Sequence, residues 1–190
     1  MSNDIDETAV IARDAQIEPP SRVMDHAQIG SNAKIGPGCY IGPYARIGEG
    51  CVIGEETRIG SHAKVGAGST IGFHSNLGTR VRTSHLVNVG DWCLIGTGTT
   101  IEENTRICNF VQIGERCTIN RQVTIEDGVL LEDLVYVTFA ARIGYDSTLL
   151  ERCRIVARPN EGSSQRVPPH SVVPPEMNYF MGESWKEFPW

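Results

Sequence analysis

From Ile5 to Ile155, every sixth residue of this 190-residue chain is Ile, Val or Leu, with a single exception. Of the 26 positions on that beat 25 are aliphatic, and the other is Thr83, inside "TRVRTSHLVNVG". A six-residue period fits neither a helix nor the plain alternation of a strand. It fits a short strand, a turn and the next short strand, repeated without insertion. "AKIGPG", "ARIGEG", "TRIGSH" and "AKVGAG" show the unit: a small residue, an outward residue, the aliphatic, glycine and two turn residues. The small residue and the aliphatic are two apart and so face the same side of a strand, which must be the interior. The residue between them faces out, and Lys34, Arg46, Arg58, Lys64 and Arg106 stand there. Of the 20 glycines, 13 directly follow a beat position, which predicts corners that depend on glycine's conformational freedom. Such units bury their apolar face only against their neighbours, so the chain reads as a solenoid.

The small slot also accounts for the cysteines. Cys39, Cys51, Cys93, Cys117 and Cys153 stand two residues before a beat position, where other units have Ala33, Thr57 or Ser69, and Cys108 replaces the glycine after Ile107. With no C-x-x-C pair present, the thiols read as small buried side chains in a reducing compartment. A net charge of -6 argues against a nucleic-acid binder. No apolar run approaches the ~20 residues of a membrane span. "MSNDIDETAV" lacks the basic-then-apolar layout of a signal peptide, so no membrane partner is expected and the expected compartment is the cytoplasm.

"IGSNAKIGPGCYIGPYARIGEGCVIG" resembles the hexapeptide-repeat acyltransferase superfamily, and the likeness runs from residue 9 to about 156. The resemblance implies an all-β fold, a left-handed parallel β-helix of about eight to nine coils with a short C-terminal extension. Three hexads then make one coil, and residues 18 apart stack in adjacent coils. The expected division is residues 1–156 as the β-helix domain and 157–190 as a Pro- and aromatic-rich tail. Within the tail, "PEMNYFMGESWKEF" has apolar residues at roughly helical spacing. It predicts a short amphipathic helix that caps the open end or clamps a neighbouring subunit. "VPPHSVV" resembles a "VPP-x-SVV" segment that follows the last coil of many hexapeptide acyltransferases, although "PPEM" stands where those enzymes continue "G-x-P-A".

With 18 residues to a coil, Arg46, Lys64 and Arg82 form one outward ladder, followed by Thr100 and Thr118. Three stacked cations repel unless an anion or acidic neighbours such as Glu49 and Glu103 intervene. The resemblance makes them candidates to hold the phosphates of coenzyme A. Histidine is the candidate base. His26 and His62 share a corner with Tyr44 between them, His74 heads a row that continues with Trp92 and Phe110, and His85 lies one coil before Glu103. A His–Glu pair at that spacing suits a general base with its orienting carboxylate. Asn88, a nearby hydrogen-bond donor, completes the candidate catalytic set of His85, Glu103 and Asn88. Trp92, Leu94, Phe110 and Leu130 put large apolar groups on the outside, where they need cover. The resemblance implies a homotrimer through them. Thr83 reads as a tolerated polar core position, because the beat resumes at Val89 without insertion or deletion.

The resemblance implies transfer of an acyl group from acetyl-CoA or another acyl-CoA to a small amine or hydroxyl acceptor, such as an amino sugar nucleotide. "TRICNFVQIGERCTINRQVTIEDGVLLED" is similar to the middle coils of sugar-nucleotide N-acetyltransferases. The donor's pantetheine arm would then lie between neighbouring β-helices. The chain departs from those enzymes in having no loop between hexads from 5 to 155 and no "TN-x-x-x-PR" segment. A non-catalytic assembly or scaffold protein is therefore the alternative. A γ-carbonic anhydrase-like metalloenzyme needs three imidazoles on one metal. No two histidines here are five apart, so no metal is expected.

Overall fold

The computed structural model describes residues 2–156, 166–176 and 178–180. Each hexad between Asp4 and Val156 supplies one strand of two residues, or three in the last, giving 26 strands and between eight and nine coils. Within a strand the aliphatic is buried and the residue before it is exposed, as at Lys34–Ile35 and Arg46–Ile47. Each strand pairs in parallel with the strand 18 residues on, so that Arg46 lies beside Lys64 and Lys64 beside Arg82. With three further strands beyond Val156, these strands form three parallel sheets of ten, ten and nine strands around one continuous core. Leu94 and Leu130 point out from the first face, Arg46, Lys64 and Arg82 from the second, and Asn88 and Arg106 from the third.

Glycine serves a different purpose from the one expected. The left-handed backbone at each corner falls two residues after the glycine slot, on side chains such as His26, Tyr44, His62, His74 and Trp92, with φ between 53° and 58°. The glycine slot is set by contact between coils. A Cβ on Gly48 would lie 2.6 Å from the Ala67 nitrogen, and one on Gly66 would lie 2.2 Å from the Ser84 carbonyl oxygen. Stacking at strand spacing leaves no room there for a side chain. The corner residues, by contrast, project outward in rows along the helix.

The small slot is not merely small. Its hydroxyls and thiols donate to a corner carbonyl 15 residues ahead: Ser75 to Gly90 at 2.9 Å, Thr99 to Gly114 at 2.8 Å, Cys93 to Cys108 at 3.0 Å. The same Ser75 and Thr99 oxygens accept from the N–H of Cys93 and Cys117, both at 3.0 Å. Cysteine therefore shares a hydrogen-bonding task with Ser and Thr, beyond its apolar packing. All six thiols are free, and only Cys108 is less than fully buried. Burial pushes Cys93 and Cys117 up to about 11 and Cys153 up to about 12.

Thr83 is buried, and its hydroxyl oxygen accepts the Gly66 N–H at 3.2 Å. Beyond Val156, the strands Arg166–Val167, Val172–Val173 and Asn178–Phe180 extend the three sheets in parallel. Glu126 anchors this added coil: it accepts from Arg142 and lies 3.6 Å from Arg166. Burial works to raise its carboxyl, but the Arg142 hydrogen bond and the two guanidinium charges outweigh that and lower it. Asn178–Phe180 is thus a strand rather than the start of the expected helix. The open edge at Arg154–Val156 offers unpaired backbone groups, and pairing satisfies them. Met177 and the rest of that expectation, 181–188, lie outside the described residues. Among the described residues no helix is long and apolar enough to cross a membrane.

Candidate functional site

The second face carries the cation ladder. Arg46, Lys64 and Arg82 stand in register on adjacent strands, at the ~4.7–4.9 Å spacing of a sheet, and all three are exposed. Among the described residues none of them forms an ion pair. Glu49, the expected counter-charge, pairs with none of them, and Glu103 is engaged elsewhere. Among the described residues the ladder is therefore uncompensated by carboxylates.

Each edge of this face bears histidine. On the corner before it, His26, Tyr44 and His62 stack in successive coils, with ring centroids 4.8 and 5.0 Å apart and only 7° between the Tyr44 and His62 planes. These rings and the three cations line a groove of about 550 Å³. On the corner after it, the His85 Nε2 lies 3.2 Å from the Glu103 Oε2, and their side chains are 66% and 37% exposed. The fold so brings together two of the three candidate catalytic residues, three residues along the chain from Arg82. Asn88 points outward on the third face, with its backbone N–H donated to Thr105. Among the described residues no hydrogen bond joins its side chain to His85.

Two features escaped the sequence reading. His74 has its own carboxylate, Glu56, at 3.1 Å from Nδ1, and its ring stacks on Trp92 at 4.2 Å. Glu56 stands 18 residues before His74, so the same rule that paired His85 with Glu103 would have found it. The same corner also holds an acid–amide ladder. Phe73 N–H donates to Asp91 at 3.0 Å, Asp91 N–H to Asn109 at 2.9 Å, and Asn109 N–H to Asp127 at 2.7 Å. The signal was an Asp or Asn every 18 residues.

Trp92 and Phe110 are 50% and 61% exposed beside exposed Leu94 and Leu130. A second groove of about 340 Å³ runs along that flank between Leu94, Leu130 and the carboxylates Glu132, Asp133 and Glu151. Among the described residues, no group of three His, Cys, Asp or Glu side chains converges as a metal site.

The family model described as bacterial transferase hexapeptide (six repeats) matches residues 8–45 and 38–73. The same unit continues in register through Val156. Residues 8–73 thus match the hexapeptide-repeat family in sequence. The hexapeptide repeat implies the left-handed turn of its β-helix. No curated protein matches the chain in sequence. Among solved structures it is similar to PerB from Caulobacter crescentus, solved with CoA and GDP-perosamine. The TM-score is 0.56 at 21% identity, over 58% of this chain and 52% of that one. It is also similar to the acetyltransferase domain of PglB from Neisseria gonorrhoeae FA1090, solved with acetyl coenzyme A. There the TM-score is 0.55 at 22% identity, over 58% and 53%. The match spans about half the length of these proteins, and the likeness is one of fold.

Proposed function

We propose that the protein transfers an acyl group from an acyl-CoA, acetyl-CoA first among them, to a small amine or hydroxyl acceptor such as an amino sugar nucleotide. The observation that carries this reading is the ladder of Arg46, Lys64 and Arg82, three exposed cations in register with no carboxylate partner among the described residues. Such a strip suits phosphoryl oxygens, which form charge-assisted hydrogen bonds with guanidinium and ammonium groups. The folds of PerB and the PglB domain, solved with CoA and acetyl coenzyme A, support that choice of donor.

His85 acts as the general base. Glu103 accepts from Nε2–H at 3.2 Å, which leaves the Nδ1 lone pair to take a proton from the acceptor's amine or hydroxyl. The acceptor heteroatom attacks the thioester carbonyl and the C–S bond breaks. The acyl group passes to the acceptor, and the imidazolium returns its proton to the departing CoA thiolate. A backbone N–H steadies the oxyanion formed on the way. Trp92, Leu94, Phe110 and Leu130 are covered by neighbouring subunits in a homotrimer, which also brings a second β-helix alongside the donor's pantetheine arm.

The unbroken run of 26 strands favours a second reading, a non-catalytic assembly protein, because no loop between hexads shapes an acceptor pocket. Acceptor-dependent release of free CoA, followed by chromatography across a panel of amino sugar nucleotides, separates the two. Turnover that falls ~10²–10⁴-fold in His85→Ala is the result expected of the enzyme. No release with any acceptor, from protein that remains folded, favours the assembly protein.

A further inference from the structure

The wall of rings beside the cation ladder has no part in the mechanism above. Tyr44 is covered on both faces, by His26 at 4.8 Å and His62 at 5.0 Å. Its faces are closed to a flat heterocycle. Tyr44 is left with its edge and phenol O–H for the groove, and the imidazoles of His26 and His62 beside it add ring nitrogens. Arg46, Lys64 and Arg82 line the same groove. Every polar group named so far on this groove is a donor or becomes one on protonation.

We propose that this groove is a binding site for a small oxyanion with two or more phosphoryl groups, tightened by acid through His26 and His62. The proposal rests on the reading of the three cations as an oxyanion strip, and it adds a pH control to that strip. A neutral imidazole donates from one nitrogen, an imidazolium from both and with a positive charge. A bound anion favours the imidazolium, so binding strengthens as pH falls. The charged groups around the wall act in both senses. Asp6, one coil before His26, and Asp25 beside it place negative charge at that end of the wall. Around His62 stand the cations Arg80, in the next coil, and Lys64 and Arg82, which line the same groove.

The corner geometry supplies a clean variant. Asn32 and Asn104 hold the matching place on another corner with φ of 55° and 57°, against 53° for His26 and 57° for His62. His26→Asn with His62→Asn therefore keeps a backbone that asparagine tolerates while removing both titrating rings. Calorimetric titration with inorganic pyrophosphate, and separately with CoA, is to be run at about pH 5.5 and about pH 7.5, either side of the imidazole range. The native protein is expected to bind pyrophosphate about tenfold tighter at the lower pH. The double variant should lose that gain while still binding at the higher pH, and Arg82→Gln should weaken binding at both. Protonation of the probe itself is common to all the proteins and cancels in the comparison. An undiminished acid gain in the double variant, or no pyrophosphate binding at either pH, overturns the proposal. Pyrophosphate binding with the histidine-dependent gain but no CoA binding contradicts the acyl-CoA reading alone. CoA binding without that gain contradicts the acid-tightened site alone.

Discussion

The Gly66 N–H donates to the Thr83 hydroxyl oxygen at 3.2 Å, in the one coil where the aliphatic column is broken. In the flanking strands the equivalent bonds run to main-chain carbonyls: Gly48 N–H to Val65 and Gly72 N–H to Val89, both at 2.8 Å. The Thr83 side chain thus takes over a rung of the ladder. Thr83→Val, nearly the same size without the hydroxyl, leaves a buried N–H without its acceptor and should cost about 1–3 kcal/mol. Urea unfolding measures it, with Thr83→Ser as the variant that keeps the acceptor. Equal stability of Thr83→Val would mean that the Gly66 N–H finds the carbonyl instead.

Glycines in the two kinds of place should respond in opposite ways. A Cβ on Gly66 meets the Ser84 carbonyl at 2.2 Å, whereas one on Gly50 meets nothing within 4 Å but sits at φ +64°. Gly66→Ala is expected to reach or exceed the ~1–3 kcal/mol typical of overpacking. Gly50→Asn should change stability little, since asparagine accepts the left-handed conformation. Thermal unfolding of the two variants reads the difference, and equal losses would contradict the separate roles assigned to the two glycine places.

The buried thiols make the fold sensitive to alkali. In the folded chain Cys93 and Cys117 titrate at about 11 and Cys153 at about 12, all raised by burial from 9.0. Their contribution to stability is complete below the unfolded value and is lost as pH rises from there through the folded values, because the unfolded chain gives up its thiol protons first. The urea midpoint should therefore drop from about pH 8 to about pH 10.5. A variant with serine at Cys93, Cys117 and Cys153 should drop less, serine being the residue that makes the same slot bond at position 75. An equal drop in that variant would place the sensitivity elsewhere.

Assembly can be tested on the aromatic flank. Trp92 is half exposed at φ 57°, and Asp146 holds the same corner place three coils on at φ 53°. Trp92→Asp therefore keeps the local backbone while placing a charge on the flank proposed as the subunit contact. Light scattering should show the trimer of the native protein falling to monomers. A native monomer, or an intact trimer in Trp92→Asp, would remove this flank from the interface.

The coil architecture was legible because a single rule sets it: aliphatics every six residues point inward, and residues 18 apart pair. That rule alone put Arg46 beside Lys64 and His85 beside Glu103, and both juxtapositions occur. What it could not convey was which contacts the backbone makes between coils. The glycine slot looks like a corner in the sequence, but its cause is the neighbouring coil, as at Gly48 against Ala67. Cysteine looks apolar, yet Cys93 donates to a carbonyl 15 residues on because that carbonyl faces inward. At Asn178–Phe180 the apolar spacing suited a helix, and the open edge at Arg154–Val156 decided for a strand. Side-chain periodicity records what is buried, and the unpaired backbone of a neighbouring coil leaves no mark on it.

The most direct measurement is thermal unfolding of the native protein and of Arg82→Ala, each with and without acetyl-CoA. If the ladder holds the donor's phosphates, ligand at 100 times its dissociation constant stabilises the native protein by ~2.7 kcal/mol. Arg82→Ala should then show a much smaller shift at the same ligand concentration. No shift in the native protein, or an equal shift in both, would contradict donor binding on Arg46, Lys64 and Arg82.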